Sequence, residues 1–371
     1  MHVGVPKEIK SNEFRVGLTP GAAREYVTHG HQVFVQSGAG SGIGASDDRY
    51  VEAGAEIVDD AASLYAGAAM IVKVKEPQPE EWSLLRDGQI LFTYLHLAPD
   101  PNQAKALMKA GCTAIAYETV TDDVGGLPLL APMSEVAGRL AIQAAGESLR
   151  KTEGGRGLLL AGVPGVAPAK VVVIGGGVVG ANAARMAMGL GADVTIIDRS
   201  LSRLRQLDDL FQSRVKTRYS TLDTIEEEVT SADAVIGAVL IPGASAPKLV
   251  TKEMLTRMKP GAVLVDVAID QGGCFETSRP TGYESPTYEV DGIIHYCVAN
   301  MPGAVPLTSS EALNNATLPF GLALADKGLG RLREDLHLAA GLNVHGGRVT
   351  HRSVAESLGE SYHNPVDVLA T

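Results

Sequence analysis

Short apolar runs recur along this chain, separated by polar or glycine-rich turns and by segments of helical period. The clearest run is Val171-Val172-Val173-Ile174, four branched residues without polar alternation, the pattern of a strand buried on both faces. Similar runs occupy residues 2–5, 31–36, 71–74, 89–95 and 113–117 ahead of it. Others occupy 192–197, 215–219, 234–240, 262–269 and 294–298 behind it. Helices are predicted between them. Thr19-Pro20 caps one that stops at Gly30, and 102–110 forms another. Ser134 caps a long one reaching about Thr152, and Thr308-Ser309-Ser310-Glu311 reads as a capping box opening a second long one. A hairpin near His345-Gly346-Gly347 and a short helix near 353–358 close the chain. Repeated strand–helix alternation predicts an α/β protein with parallel, doubly wound sheets covered on both faces, six strands of it after residue 170.

The apolar run at 171–174 passes directly into Gly175-Gly176-Gly177-Val178-Val179-Gly180 and then into alanine-rich helix. Gly175 permits a tight turn, Gly177 a close approach of backbone to a pyrophosphate, and Gly180 close helix–strand packing. The next strand ends at Asp198, near the spacing at which an acid binds ribose hydroxyls. Strand, turn, helix and acid together predict a dinucleotide site. A second glycine-rich turn, Gly38 to Gly44, follows an alternating strand and precedes Asp47 and Asp48, whose charge repels a pyrophosphate. It reads as a structural loop. Asp198 favours NAD over NADP, although Arg199 beside it is suited to a 2′-phosphate.

Composition narrows the partners. With 371 residues and 45% hydrophobic content the chain has core enough for two domains. A net charge of −11 without a basic stripe argues against nucleic acid. The run at 171–191 is too glycine-rich for a membrane span, and the first residues lack a signal-peptide pattern. Cys112, Cys274 and Cys297, odd in number and widely spaced, suggest free thiols in a reducing cytoplasm. His29 and His31 have no third ligand, so no metal site is expected.

A dinucleotide implies hydride transfer, which needs a substrate anchor and a proton-transfer group. Arg15 offers a fork for a carboxylate or is a surface arginine. Lys75, with Lys73 on its face, ends a strand and directs a charge at substrate or into solvent. His96, also at a strand end, is a general acid/base or a structural histidine. Asp270, before Gln271-Gly272-Gly273, orients water or ammonia or caps a turn. Asn300 donates to substrate or nicotinamide or belongs to a turn, and Cys274 is a buried filler.

Longer blocks of sequence carry more. Asn12-Glu13-Phe14-Arg15-Val16, Val72-Lys73-Val74-Lys75-Glu76-Pro77, Phe92-Thr93-Tyr94-Leu95-His96-Leu97, Ala131-Pro132-Met133-Ser134-Glu135-Val136-Ala137-Gly138-Arg139, Asp270-Gln271-Gly272-Gly273-Cys274 and Asn300-Met301-Pro302-Gly303 resemble the alanine dehydrogenase family. The resemblance runs to about residue 320 and more loosely beyond. It implies reversible NAD-dependent oxidative deamination of L-alanine to pyruvate and ammonium, in a homohexamer. It also implies a Rossmann NAD-binding domain at 131–307, inserted in a discontinuous substrate domain of 1–130 and 308–371 and linked by long helices. Arg15, Lys75, Met133 and Asn300 would then bind substrate, with His96 and Asp270 catalytic. NAD would be lined by Ser134, Gly175, Gly177, Val178, Val179, Gly180, Asp198, Arg203, Ser220, Val239, Leu240, Val267, Ala268, Ile269, Asp270, Val298, Ala299, Asn300 and Met301. The alternatives are a nucleotide-binding transhydrogenase subunit, whose Arg-Gln-Asp-Arg loop the chain lacks, and a non-catalytic NAD-sensing module.

Overall fold

A computed structural model describes residues 1–239 and 246–369. The chain divides into two compact units, Met1–Met133 with Gly303–Thr371, and Ser134–Pro302.

In the first unit, strands β1 (His2–Val5), β2 (Gln32–Gln36), β3 (Glu56–Val58), β4 (Met70–Val72), β5 (Ile90–Thr93) and β6 (Thr113–Ala116) are parallel. The second unit contains β7 (Lys170–Ile174), β8 (Asp193–Asp198), β9 (Lys216–Tyr219), β10 (Ala234–Gly237), β11 (Val263–Asp266), β12 (Thr287–Val290) and β13 (Ile293–Tyr296). The hairpin β14 (Leu342–His345) and β15 (Arg348–Val349) returns to the first unit, β14 lying antiparallel on β6. Spatial order is β15-β14-β6-β5-β4-β1-β2-β3 in one sheet and β12-β13-β11-β10-β7-β8-β9 in the other. Leaving out the antiparallel edges, both orders are the doubly wound 3-2-1-4-5-6, with the switch point between β1 and β4 and between β7 and β10. The seventh strand of the second sheet, β12, is absent from the six-strand expectation. It is a short half-exposed antiparallel edge without a continuous apolar run.

Alternation along β7 shows why these strands carry no polar residues. Val171 and Val173 enter one hydrophobic cluster and Val172 and Ile174 the opposite one, all at most 1% exposed. β5 does the same, with Ile90 and Phe92 on one side and Leu91 on the other.

Two helix starts differ from the sequence pattern. The long helix runs Ala131–Ser148, so Ser134 sits within its first turn rather than at its cap. The returning helix runs Pro306–Lys327, with Pro306 at the first position, where its fixed φ is preorganised and its missing N–H is not needed. Thr308 to Glu311 therefore lie inside it. Ser310, instead of capping, reaches another element, and its Oγ accepts the Val16 N–H at 3.2 Å. Asn314 Oδ1 accepts the Thr19 N–H at 3.0 Å, so this helix fixes the loop that carries Arg15. The Gly38–Gly44 turn serves that loop as well. A Cβ on Gly42 would lie 2.2 Å from the Phe14 carbonyl, and Asp47 binds Ser37 and Gly38.

Candidate active site

In the first unit, Arg15 follows β1 and Lys75 follows β4, the two strands that flank the switch point, while His96 follows β5. Arg15 is 2% exposed, which removes the surface reading. Its Nε and Nη2 donate to the two carboxylate oxygens of Glu13 at 2.6 and 2.5 Å, and its Nη1 meets the Met133 sulfur at 3.0 Å. Burial works against the guanidinium charge, but Glu13 outweighs it and holds the Arg15 pKa above the ordinary value. Lys75 is buried too. Its N–H donates to Glu8 Oε1 at 3.3 Å and its carbonyl accepts from Thr93 Oγ1 at 2.9 Å.

His96 is the exposed member of the group, its side chain 45% accessible. Its φ of +48° lies in the left-handed region that side chains usually avoid. Glu118 holds it there. The carboxylate accepts the Leu95 N–H at 3.1 and 3.2 Å and the His96 N–H at 2.6 Å, and Oε1 lies 4.0 Å from His96 Nδ1. The imidazole stacks on Tyr94, 5.9 Å between centroids and 11° between planes. Glu118 sits 22 residues further on, in a short turn after β6, with no local signal to mark it. Glu76, paired with Lys10, lies within electrostatic range of both Lys75 and His96. Burial pushes its carboxyl up, and the charges of Lys75, Lys10 and His96 bring it below the ordinary value.

In the second unit the glycine turn has the geometry its sequence requires. Gly175 has φ +101°, and a Cβ on it would lie 2.6 Å from the Ala238 carbonyl. A Cβ on Gly180 would lie 1.8 Å from the Gly175 carbonyl. A Cβ on Gly177 would meet nothing within 4 Å, so the protein's own packing does not demand glycine there. Gly177 caps the helix Val178–Gly189 without a side-chain bond, so Val178 and Val179 present first-turn N–H groups suited to an anion.

Asp198 supports this turn. Its Oδ2 accepts the Gly176 N–H at 2.7 Å and its Oδ1 the Ser200 N–H at 2.8 Å. Arg203 braces the other side, Nε donating to the Gly176 carbonyl at 2.6 Å. The Ser220 N–H donates to the Asp198 carbonyl at 3.0 Å, and Val239, half-buried, follows β10. Leu240 lies outside the described residues.

β11 stops at Asp266, short of the strand expected to reach Ile269. The Asp266 carboxylate accepts the Ala268 N–H at 3.2 Å and turns Val267–Gln271 into a 3₁₀ segment. The same carboxylate accepts Cys274 N–H at 2.9 Å and Ser278 Oγ at 2.5 Å. Asp270 consequently sits exposed on a turn with its ends tied, and Ile269 is buried beneath it. Burial raises the Asp266 carboxyl above its ordinary value despite these donors. Asp266→Ala would leave several of them without an acceptor, and an unfolding titration should show a loss of about 1–3 kcal/mol. After β13, Val298 and Met301 are buried and Ala299 half-buried. Asn300 has φ +57°, and the Met301 carbonyl accepts from Tyr283 Oη at 2.8 Å. Ser134 is half-buried in the first turn of the long helix.

The predicted residues thus fall into two groups, one in each unit: Arg15, Lys75 and His96 after strands, with Met133 on the long helix, and the glycine turn, Asp198, Asp270 and Asn300 at or after strand ends, with Arg203 on the helix Leu201–Phe211. No group of three side chains suited to a metal occurs among the described residues.

Residues 4–137 match the alanine dehydrogenase/PNT N-terminal domain and residues 141–352 the corresponding C-terminal domain. The chain belongs to the alanine dehydrogenase/PNT family. Within that family it is 62% identical to an alanine dehydrogenase of Halomonas elongata, over 98% of each chain. An L-alanine dehydrogenase structure superposes with a TM-score of 0.94 at 53% identity, covering 97% of this chain and 99% of that one. A transhydrogenase structure from Sinorhizobium meliloti gives 0.82 at 28% identity, covering 94% of this chain and all of that one.

Proposed function

We infer that the protein is an NAD-dependent L-alanine dehydrogenase, converting L-alanine and water reversibly to pyruvate and ammonium. The observation that carries this reading is the pairing of a buried Arg15–Glu13 fork and a buried Lys75 with a backbone-strained His96 on the carboxyl edges of one sheet. A transhydrogenase subunit or a sensing module has no need of a proton-transfer group there. Full-length identity is also far higher to the dehydrogenase than to the transhydrogenase.

The second unit fits a dinucleotide: the space above Gly177 is open, the first-turn N–H groups suit the pyrophosphate, and Asp198 suits the ribose hydroxyls. Bound NAD supplies the hydride acceptor. Arg15 and Lys75 hold the substrate carboxylate and the oxygen at Cα. Once the substrate ammonium has given up a proton, hydride departs from Cα and the Cα–N bond becomes an iminium. His96 removes a proton from the water that adds to Cα and returns one to the departing amine, giving pyruvate and ammonium. Lys75 stabilises charge developing on the new oxygen, and Asp270 orients water and ammonia. Met133 supports the Arg15 end of the pocket, and Asn300 contacts substrate or the nicotinamide amide. Ser134, Arg203, Ser220, Val239, Leu240, the 267–270 turn and the 298–301 turn line the cofactor. Arg15, Lys75, His96 and Met133 therefore belong to the first unit, and Asp270, Asn300 and the cofactor residues to the second. We further infer a homohexamer, in a cytoplasm whose reducing potential suits three buried free cysteines.

The test follows nicotinamide absorbance with alanine and NAD, and then with pyruvate, ammonium and NADH. Turnover in both directions is the expected result. Tight NADH binding with no turnover in either direction would point to the sensing module instead.

A further inference from the structure

Beneath the Lys75 strand end lies a cluster of charges that the reaction does not use. Lys73 is wholly buried, with its Nζ 2.7 Å from Glu81 Oε1 and 3.3 Å from Glu8 Oε2. The side chains of Glu8 and Glu81 are 2% and 4% exposed. Tyr65 Oη donates to Glu81 Oε1 at 2.9 Å, and the Gln78 N–H to Glu81 Oε2 at 2.8 Å. Such a cluster is a poor way to gain stability, because apolar side chains of the same volume often serve as well or better. What it does specify is direction. Glu8 Oε1, the oxygen turned away from Lys73, accepts two successive backbone N–H groups, Val74 at 2.7 Å and Lys75 at 3.3 Å. Thr93, itself buried, takes the Lys75 carbonyl from the other side. Both polar groups of the Lys75 main chain are therefore held by side chains rather than by a neighbouring strand, just past the point where β4 ends at Val72.

We propose that Glu8 is a positioning residue for Lys75, held in its working geometry by the buried Lys73–Glu81 pair. The proposal rests on the reading that Lys75 contacts substrate. Burial pulls the Lys73 ammonium down, and the two carboxylates outweigh it and leave its pKa raised. Burial raises the Glu8 carboxyl, since one lysine serves two acids and Glu81 is the nearer. Lys73, set against Oε2, leaves Oε1 to face the Lys75 amide.

The test is a double-mutant cycle on the full chain with Glu8→Gln, Lys75→Ala and the pair, reading kcat and KM for pyruvate and for NADH. Glu8→Gln is expected to lower kcat/KM for pyruvate by about tenfold or more while KM for NADH stays within about twofold. In the Lys75→Ala background the same change should cost less than about threefold, because its effect passes through Lys75. An equal cost in both backgrounds would overturn the proposal, as would an equal loss for both substrates. Should Glu8→Gln fail to fold, Glu8→Asp keeps the charge beside Lys73 but withdraws the oxygen from the Lys75 N–H, and the same criteria apply. Wild-type activity in Lys75→Ala would remove the substrate role on which the proposal rests. It would leave the alanine assay above unaffected, so the two failures are told apart.

Discussion

His96→Ala is expected to bind NADH normally and to lose turnover by about 10²–10⁴, the range over which general acid–base groups contribute. The structure makes this a clean experiment. The imidazole is nearly half exposed and packs only against Tyr94 among the aromatic rings described, so its removal leaves no large cavity. Alanine meets the same left-handed backbone at φ +48° that histidine does, and Glu118 holds that backbone through amide hydrogens that the substitution keeps. The melting temperature should change little, and a fluorescence titration should give an unchanged NADH dissociation constant. A variant that still oxidises alanine at the parent rate would refute the assignment of His96.

The second large effect is expected at Gly180. A methyl group there would stand 1.8 Å from the Gly175 carbonyl oxygen, less than any packing can tolerate. Gly175 cannot yield. Its own conformation is one that glycine alone adopts easily, the Ala238 carbonyl just past β10 leaves no room for a side chain there, and its N–H is bound to the Ile197 carbonyl at 2.8 Å. The helix must therefore move away from β7 and carry its first-turn N–H groups out of line. Gly180→Ala should weaken NADH binding by at least about a hundredfold, and overpacking should lower stability by about 1–3 kcal/mol. Calorimetric titration and thermal melts read the two separately. Unchanged NADH affinity would show that the turn is not the pyrophosphate cradle.

The doubly wound architecture was legible where it is written in apolar runs at strand length; the short edge strand β3 and the antiparallel edge β12 were not, because neither has such a run. The placement of Lys75 and His96 at strand ends was legible as well, whereas Arg15 read only as part of the loop after β1. What surrounds them was not. Glu118 reaches His96 across 22 residues, Ser310 reaches Val16 across 294, and Glu8 reaches Lys75 across 67. None leaves a local pattern, since a carboxylate that binds backbone amides looks in sequence like any surface acid. Arg15 fails in the opposite direction: taken singly it resembles a surface arginine, and only Glu13, two residues earlier, shows why it is buried. Asp266 was hidden by the apolar run around it, which continues past the point where its side chain ends the strand.

Asp198 has a dual employment that matters to anyone wishing to change which nicotinamide cofactor the protein accepts. Removing its charge is the obvious step toward a 2′-phosphate, with Arg199 already adjacent. Yet each of its oxygens already holds a main-chain amide, Gly176 on one side and Ser200 on the other. A small apolar replacement would thus loosen the phosphate turn while it opens the ribose end, trading affinity for breadth. Redesign of preference here has to supply a neutral acceptor of the same reach, or a new brace for Gly176, before selectivity can be altered independently of grip.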